Sequence, residues 1–388
     1  MRTLEDVNMI TMRPLEATRR RGRGAAVRSV LCTTLAVALV LPQAAHPQVP
    51  VCANNGRDCA VAVPERHVVT KLEYWKAELA RPVEQRIGPA SPEVLDYLIQ
   101  DNIRNSIPNR PRPAVLRSDF LTDVREALAG LPAQVKRLLS RKLAGIRFAE
   151  DIGGTGYAEE IVDTESNPAA GFIVFDSAVL SRQTANAWFT WKENTPFKPQ
   201  PGSALVGEIE AKTDDSRKFA IQYILLHELA HVISIGEKIH PPWTTEPRDI
   251  QSTADYPFFS LSWSVLKENN RYATVFDQDF PRRKDVVFYL GAKLSGEQMV
   301  DIYDKLEATN FPTLYAVTHP ADDWAEAFVT YVHTVMMNKP FAIRIYRDSK
   351  LVRHYKSCWT EKRCEEKRKI LERFLEGRQP LPPTAQSG

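Results

Sequence analysis

The clearest hydrophobic pattern in the chain is an apolar run at 219–226 that leads directly into His227-Glu-Leu-Ala-His231. The polar residues 213–216 precede the run and supply N-cap candidates, and Gly236 stands where a C-terminal cap is expected. An apolar stretch bounded in this way predicts a buried helix. Histidines four residues apart then lie on one face of that helix, one turn from each other.

Upstream of this helix the periodicity predicts helices first and strands afterwards. The predicted helices cover 91–106, 118–129 and 131–143. The predicted strands cover 146–149, 157–162 and 171–175, with glycines 153, 154 and 156 in the turn between the first two. A strand placed before the histidine-bearing helix, such as 171–175, offers an edge with which an extended peptide can pair.

Aromatic and polar positions mark the remaining elements. The aromatic stretch 186–191 is typical of plain core, and the other interpretation is the lining of a side-chain pocket. Residues 237–313 mix helical and loop patterns, and they form either a lid over a cleft or a helical lobe. The charged stretch 362–378 predicts a C-terminal helix with a solvated face.

Together these patterns predict an α+β fold, with a small mixed sheet and the histidine-bearing helix followed by a mainly helical part. The 388 residues are 43% hydrophobic, enough to bury a large core. We expect a signal peptide at 1–45, an N-terminal helical and irregular segment at 46–115 and the main domain at 116–376. A flexible tail is expected at 377–388, and the Pro-rich stretch 108–113 is the candidate boundary.

The N-terminus has the pattern of an export signal. Five arginines between 19 and 28 precede an uncharged stretch at 29–41. This stretch is shorter than the ~20 apolar residues that a membrane-spanning helix needs. Cleavage is expected near Ala44 or Ala45. We therefore expect the protein in the periplasm or outside the cell, with no stable membrane insertion after cleavage.

The cysteines agree with export. Cys32 lies within the expected signal, and four cysteines remain in two local pairs, Cys52 with Cys59 and Cys358 with Cys364. An even number in short loops of an exported protein predicts two disulfides. Thiolate zinc ligands are the competing interpretation, but they require tighter spacing.

The charge balance argues against nucleic acid as a partner. The whole chain carries a formal charge of +3, and removal of residues 1–45 takes away seven arginines and three acidic residues. The remainder is close to neutral, without the basic surface that nucleic-acid binding requires.

The residues at 227–231 indicate zinc chemistry. Two histidine nitrogens one turn apart can meet a single zinc ion at about 2 Å, and Glu228 lies close enough to take a proton from a water on that ion. Chance occurrence of this short motif is the alternative, but so apolar a segment makes two buried histidines costly without a partner. We therefore expect one zinc ion, held by His227 and His231, with Glu228 as general base.

A catalytic zinc site needs a third protein ligand. Pro320 suits the first turn of a helix, on which Asp322, Glu326 and His333 share one face. One of the two carboxylates is then the expected ligand and the other the partner of a histidine N–H. His319 is a weaker candidate, since beside Pro320 it is more simply a capping or loop residue.

The spacing of these motifs resembles a known group. An HExxH motif followed by a tyrosine, an acidic residue seven positions later and a glutamate four further on resembles the gluzincin metallopeptidases that include the anthrax-lethal-factor-like peptidase domains. The resemblance covers 219–235 and 315–333, and Asp322 stands where that group has glutamate. It implies a zincin-like fold and the following roles: His227, His231 and Asp322 as zinc ligands, Glu228 as base, Tyr315 as stabiliser of the tetrahedral intermediate, and Glu326 as a partner behind the ligands or an alternative ligand.

The expected function is therefore an exported zinc metallopeptidase that hydrolyses peptide or protein substrates. A zinc-containing binding module of the cell envelope, weak or inactive in catalysis, is the alternative that the Asp322 departure favours. A hydrolase of non-peptide amides or esters uses the same zinc chemistry and differs only in the shape of its pocket.

Overall fold

The computed structural model describes residues 67–243, 245–289 and 291–378, and these belong to one compact unit. The expected signal peptide, the Cys52–Cys59 disulfide and nearly all of the expected tail lie outside the described residues. No helix among the described residues is long and apolar enough to cross a bilayer.

Helices and strands are interspersed along the chain. The helices are α1 (Leu72–Leu79), α2 (Pro92–Arg104), α3 (Ser118–Ala129), α4 (Ala133–Lys142), α5 (Ser177–Leu180), α6 (Ala185–Asn194), α7 (Arg217–Ser234), α8 (Pro257–Ser260), α9 (Met299–Glu307), α10 (Pro320–Tyr331) and α11 (Glu365–Leu375). The strands are β1 (Ile87–Pro89), β2 (Arg112–Pro113), β3 (Leu143–Glu150), β4 (Gly156–Val162), β5 (Pro168–Asp176), β6 (Phe197–Lys198), β7 (Ser203–Glu208), β8 (Trp263–Leu266), β9 (Arg271–Thr274), β10 (Leu294–Ser295), β11 (Ala342–Arg347) and β12 (Lys350–Lys356). This mixture confirms the predicted α+β class.

The upstream helices follow the predicted pattern closely. Helix α3 has the predicted bounds, and α2 begins directly after Ser91, whose hydroxyl accepts a hydrogen bond from the backbone N–H of Val94 at 3.2 Å. Helix α4 begins two residues later than predicted, because Pro132 is extended with ψ 146° and serves as the N-cap.

The main sheet has the strand order β1-β3-β5-β4, with the short strand β2 also paired to β3. Strands β1, β3 and β5 run parallel, and β4 pairs antiparallel with β5. The expectation that 171–175 offers a peptide-binding edge is therefore wrong. Strand β5 is interior and buried on both faces from Ala170 to Asp176, whereas β4 is half-buried and lies at the edge.

Helices pack on both faces of this sheet. Helices α3, α4 and α7 cover the inner face, and α1 and α2 cover the outer face, where Trp75 stacks on Phe172 with ring centroids 4.9 Å apart. Residues of β4 alternate between the faces: Ala158 packs inward, and Ile161 belongs to the outer cluster. Residues 67–113 thus contribute two helices and two strands to the layers that surround residues 143–176.

The C-terminal part is less helical than expected. Strands β7, β11 and β12 form an antiparallel sheet, because apolar Ile343 and Ile345 alternate with polar or half-exposed neighbours and bury one face. Asp348 and Ser349 make the tight turn with positive φ angles of 46° and 64°. The predicted Cys358–Cys364 disulfide is present, with Cα atoms 5.9 Å apart, and α11 falls within the helix predicted at 362–378.

Candidate metal centre

Helix α7 carries the HELAH motif, and most of its side chains are buried. Ser216 is its N-cap residue, and the side chains from Ala220 to Leu226 are all buried. The helix ends at Ser234, after which Gly236 adopts a φ of 73°, the left-handed conformation that glycine supplies at helix ends. Both predicted boundaries of this helix are confirmed.

Helix α10 brings the acidic residues against α7. His319 is its N-cap, and the Nδ1 atom of that ring accepts a hydrogen bond from the backbone N–H of Ala321 at 3.2 Å. The interpretation of His319 as a capping residue is therefore confirmed. Trp324 fixes the two helices together, because its indole N–H donates to the carbonyl of Ala230 on α7 at 3.0 Å.

Three candidate ligand atoms converge between these helices. The Nε2 atoms of His227 and His231 lie 3.3 Å apart, and Oδ1 of Asp322 lies 3.8 Å and 3.7 Å from them. In a tetrahedral zinc site with bonds of about 2.0–2.2 Å, neighbouring ligand atoms are about 3.3–3.5 Å apart. The two distances to Asp322 are a few tenths of an ångström longer than this, so a zinc ion would fit between the three atoms after a small shift of the aspartate.

Burial favours the neutral forms of two members of the cluster, His231 and Asp322. Burial and the nearby charge of His227 lower the pKa of His231, which favours the neutral imidazole that a metal requires. Burial raises the pKa of Asp322 to about 6, with the charge of His227 opposing the shift. A divalent cation would compensate both the half-buried carboxylate and the close approach of two imidazole nitrogens.

Glu326 lies behind the cluster rather than in it. Its Oε1 atom is 2.9 Å from Nδ1 of His227, and its Oε2 atom accepts a hydrogen bond from the hydroxyl of Thr313 at 2.7 Å. Of the two carboxylates left open by the sequence, Asp322 thus faces the histidine Nε2 atoms and Glu326 contacts a histidine from its far side. A contact of this kind orients a ligand histidine and selects its tautomer.

Lys192 is a charged neighbour of the site that sequence reasoning missed. Its Nζ atom lies 2.9 Å from Oε1 of Glu326 and 4.7 Å from the centre of the Tyr315 ring. Burial would raise the pKa of Glu326, but the charge of Lys192 and the close contact with His227 lower it to about 2. Glu326 is therefore ionised and fixed in place by a buried cation.

Glu228 lies between α7 and the edge strand. Burial raises its pKa to about 7, the charge of Asp322 acts in the same direction, and His227 and the backbone N–H of Ala158 on β4 oppose them. A carboxyl group with a pKa near neutrality can both accept and return a proton at pH 7.

Tyr315 stands on the His227 side of the cluster. Its ring centre is 5.6 Å from that of His227 and 4.8 Å from that of Phe288. The charge of Asp322, followed by burial, raises the pKa of the phenol, so the hydroxyl stays protonated and able to donate. That hydroxyl makes no hydrogen bond to any residue that the structure describes.

The other candidate residues have structural positions. His333 does not join the cluster, because the chain widens into a π-turn at Val332–Met336 and the Nε2 atom of His333 contacts the carbonyl of Ile209 at 2.7 Å. In the aromatic stretch, Trp188 and Phe189 are core, whereas Trp191 is 43% exposed and lies beside Tyr289 at 5.6 Å.

No protein-family model, curated protein or solved structure matches this chain. Its function is therefore inferred from its own side chains and their geometry.

Proposed function

We propose that this protein is an exported metallopeptidase with a zincin-like fold that uses one zinc ion. His227, His231 and Asp322 would hold the ion. The observation that carries the proposal is the convergence of their three ligand atoms, at distances of 3.3, 3.8 and 3.7 Å, directly beside the buried carboxyl group of Glu228. The expected signal peptide and the Cys358–Cys364 disulfide support export.

The side chains around the cluster supply the acid–base and electrostatic parts of hydrolysis. Zinc, when bound, polarises a carbonyl group and lowers the pKa of a water molecule. Glu228 accepts the proton of the attacking water and returns it to the amide nitrogen as the peptide bond breaks. Tyr315 donates its hydroxyl to the oxyanion that develops on the attacked carbonyl. Glu326, held by Lys192 and Thr313, keeps His227 oriented.

The edge strand supports a peptide substrate. The N–H of Ala158 points away from β5 toward Glu228, and the backbone groups of alternate residues along β4 face the same open edge. Val162 at the end of this edge is bridged by Lys71. An extended peptide that pairs with Gly156 to Ile161, and that displaces the hydrogen bond from the Glu160 N–H to Oε1 of Glu159 at 3.1 Å, would place a backbone amide next to Glu228.

Cleavage of a diverse peptide mixture tests the proposal. The mature chain, loaded with zinc, is compared with Glu228→Gln and with the control Glu268→Gln, an exposed glutamate far along the sequence. We expect cuts from the wild type and the control, none from Glu228→Gln, and one zinc per chain in all three. Equal cleavage by Glu228→Gln would refute the role of Glu228. Zinc binding without cleavage in any of the three would favour a binding module.

A further inference from the structure

A pocket of about 140 Å³ lies next to the candidate metal centre. Its walls come from strand β4, the C-terminal end of α7 and the loop that follows. The lining residues used below are Glu160, Ser234, Lys238, His240, Trp243 and Tyr256.

Residues in three walls of this pocket contact, or lie close to, residues of the candidate metal centre. The Trp243 ring contacts the ring of His231, with centroids 5.6 Å apart. The hydroxyl of Ser234 donates to the carbonyl of His231 at 2.8 Å. Glu160 is two residues beyond Ala158 on β4, about 7 Å along the strand. A substrate bound over the metal centre therefore passes the mouth of the pocket.

The acidic character of the pocket comes from Glu160. Alternation along β4 turns Glu160 to the inner face with Ala158, whereas Glu159 points outward, where it accepts a hydrogen bond from Tyr97. The Glu160 carboxylate makes no hydrogen bond or ion pair with a described residue, although Lys238 also lines the pocket and is exposed. A half-buried carboxylate without a partner attracts a cation.

The other lining groups fit a long cationic side chain. Glu237, the other acidic residue of the lining, already has a cation nearby, because its carboxylate lies 3.6 Å from the ammonium of Lys142. Burial lowers the pKa of His240 to about 4, so this ring adds no positive charge at pH 7. Trp243 and Tyr256 offer aromatic surface, against which the aliphatic stem and the charged head of lysine or arginine pack well.

We infer that this pocket binds an arginine or lysine side chain of the substrate on the N-terminal side of the cleaved bond, with Glu160 as its counter-ion. The inference rests on the proposed peptidase function. Its direction follows from antiparallel pairing, the more stable arrangement per residue. A peptide antiparallel to β4 places the residues that precede the cleaved bond toward the C-terminal end of β4, where Glu160 lies.

Peptides that carry arginine or its neutral isostere citrulline test this inference. The parent is a peptide that the wild type cleaves. At each of the three positions before the cut and the three positions after it, in turn, one peptide carries arginine and a second carries citrulline. We expect arginine to be preferred about 10-fold or more in kcat/KM at one position before the cut. Glu160→Gln should remove the preference, and Glu160→Lys should replace it with a preference for glutamate over glutamine. Glu165→Gln, which removes the same charge from the neighbouring turn, should leave it unchanged.

Binding of the same peptide pairs to the inactive Glu228→Gln variant, followed by tryptophan fluorescence, separates this inference from the proposed function. Tighter binding of arginine peptides that is lost on Glu160→Gln supports the pocket even without catalysis. Equal binding of both peptides, a preference located after the cut, or a preference that survives Glu160→Gln would overturn the inference. The peptidase proposal would stand in those cases if cleavage is observed.

Discussion

Asp322 and Asp323 are neighbours on α10, yet they lie in opposite kinds of surroundings. Asp323 is fully buried, and its carboxylate accepts hydrogen bonds from Lys367 at 2.7 Å and from the indole N–H of Trp263 at 3.0 Å. The side chain of Asp322 is 21% exposed. Its hydrogen bond, from the hydroxyl of Thr318, is long at 3.3 Å, and its other oxygen faces two histidines.

The difference separates a structural ion pair from a candidate ligand site. The carboxylate of Asp323 is compensated within the protein, and this closed network joins α10 to α11 and to β8. The carboxylate of Asp322 leaves lone pairs directed at a point that two imidazole nitrogens also face. Adjacent residues of the same type thus meet different surroundings because a helix turns its consecutive side chains by about 100°.

The largest expected effect is the loss of stability when Asp323, in the ion pair with Lys367, is replaced. Asp323→Ala leaves the ammonium of Lys367 buried without its counter-ion, which costs about 3–5 kcal/mol of the free energy of unfolding. Asp322→Ala breaks no closed network, so its cost in zinc-free protein should be within about 1 kcal/mol. Urea unfolding of both variants, without zinc, measures the contrast.

This comparison would fail if the two variants lost similar stability. The double variant Asp323→Ala/Lys367→Met removes the uncompensated charge, and it should regain a large part of the loss. Lack of any recovery would show that the cost has another origin, such as a cavity beside Trp263.

Glu159 extends the comparison to a half-buried carboxyl group that pairs with no cation among the described residues. Tyr97 donates to it at 2.6 Å, and burial raises its pKa from 4.5 to about 7. A raised pKa in the folded state stabilises the protein fully below pH 4.5, and this contribution is lost as the pH rises to about 7. Between pH 4 and pH 8, Glu159→Gln should therefore gain about 3 kcal/mol of stability relative to the wild type. A pH-independent difference between the two proteins would contradict this environment for Glu159.

On the open side of α10, Tyr315→Phe probes catalysis rather than folding. Loss of one oxyanion donor should lower kcat by roughly 10- to 1000-fold. The zinc content and the melting temperature should stay close to those of the wild type, because the hydroxyl makes no hydrogen bond to a described residue. A variant with full activity would leave Tyr315 as a core residue beside Phe288.

The smallest of these effects is expected behind the metal centre. Glu326→Gln keeps the shape of the side chain and weakens its contact with His227, so zinc affinity should fall about 10- to 100-fold. Competition with a fluorescent chelator on folded protein measures the change. An unchanged zinc affinity would show that Glu326 serves only as the counter-ion of Lys192.

The sequence predicts the parts of the site that lie on one helix. The four-residue spacing puts His227 and His231 on one face of α7, and the position of Pro320 puts Asp322 and Glu326 on one face of α10, without knowledge of how the two helices pack. The contact of Lys192 with Glu326 spans 134 residues and has no local signal. The edge position of β4 was also missed, because strand order is decided by pairing between distant segments. The hairpin of β11 and β12, in contrast, had a readable signal in its alternating isoleucines and the turn at Asp348 and Ser349.

Zinc titration of Asp322→Ala tests the central claim most directly. The wild type and the control Asp301→Ala, an exposed aspartate on α9, should each bind one zinc ion with equal affinity. Asp322→Ala should bind zinc at least about 100-fold more weakly, since it loses a ligand rather than a supporting contact. Equal affinity in all three proteins, or no zinc bound by the wild type, would contradict a metal centre formed by His227, His231 and Asp322.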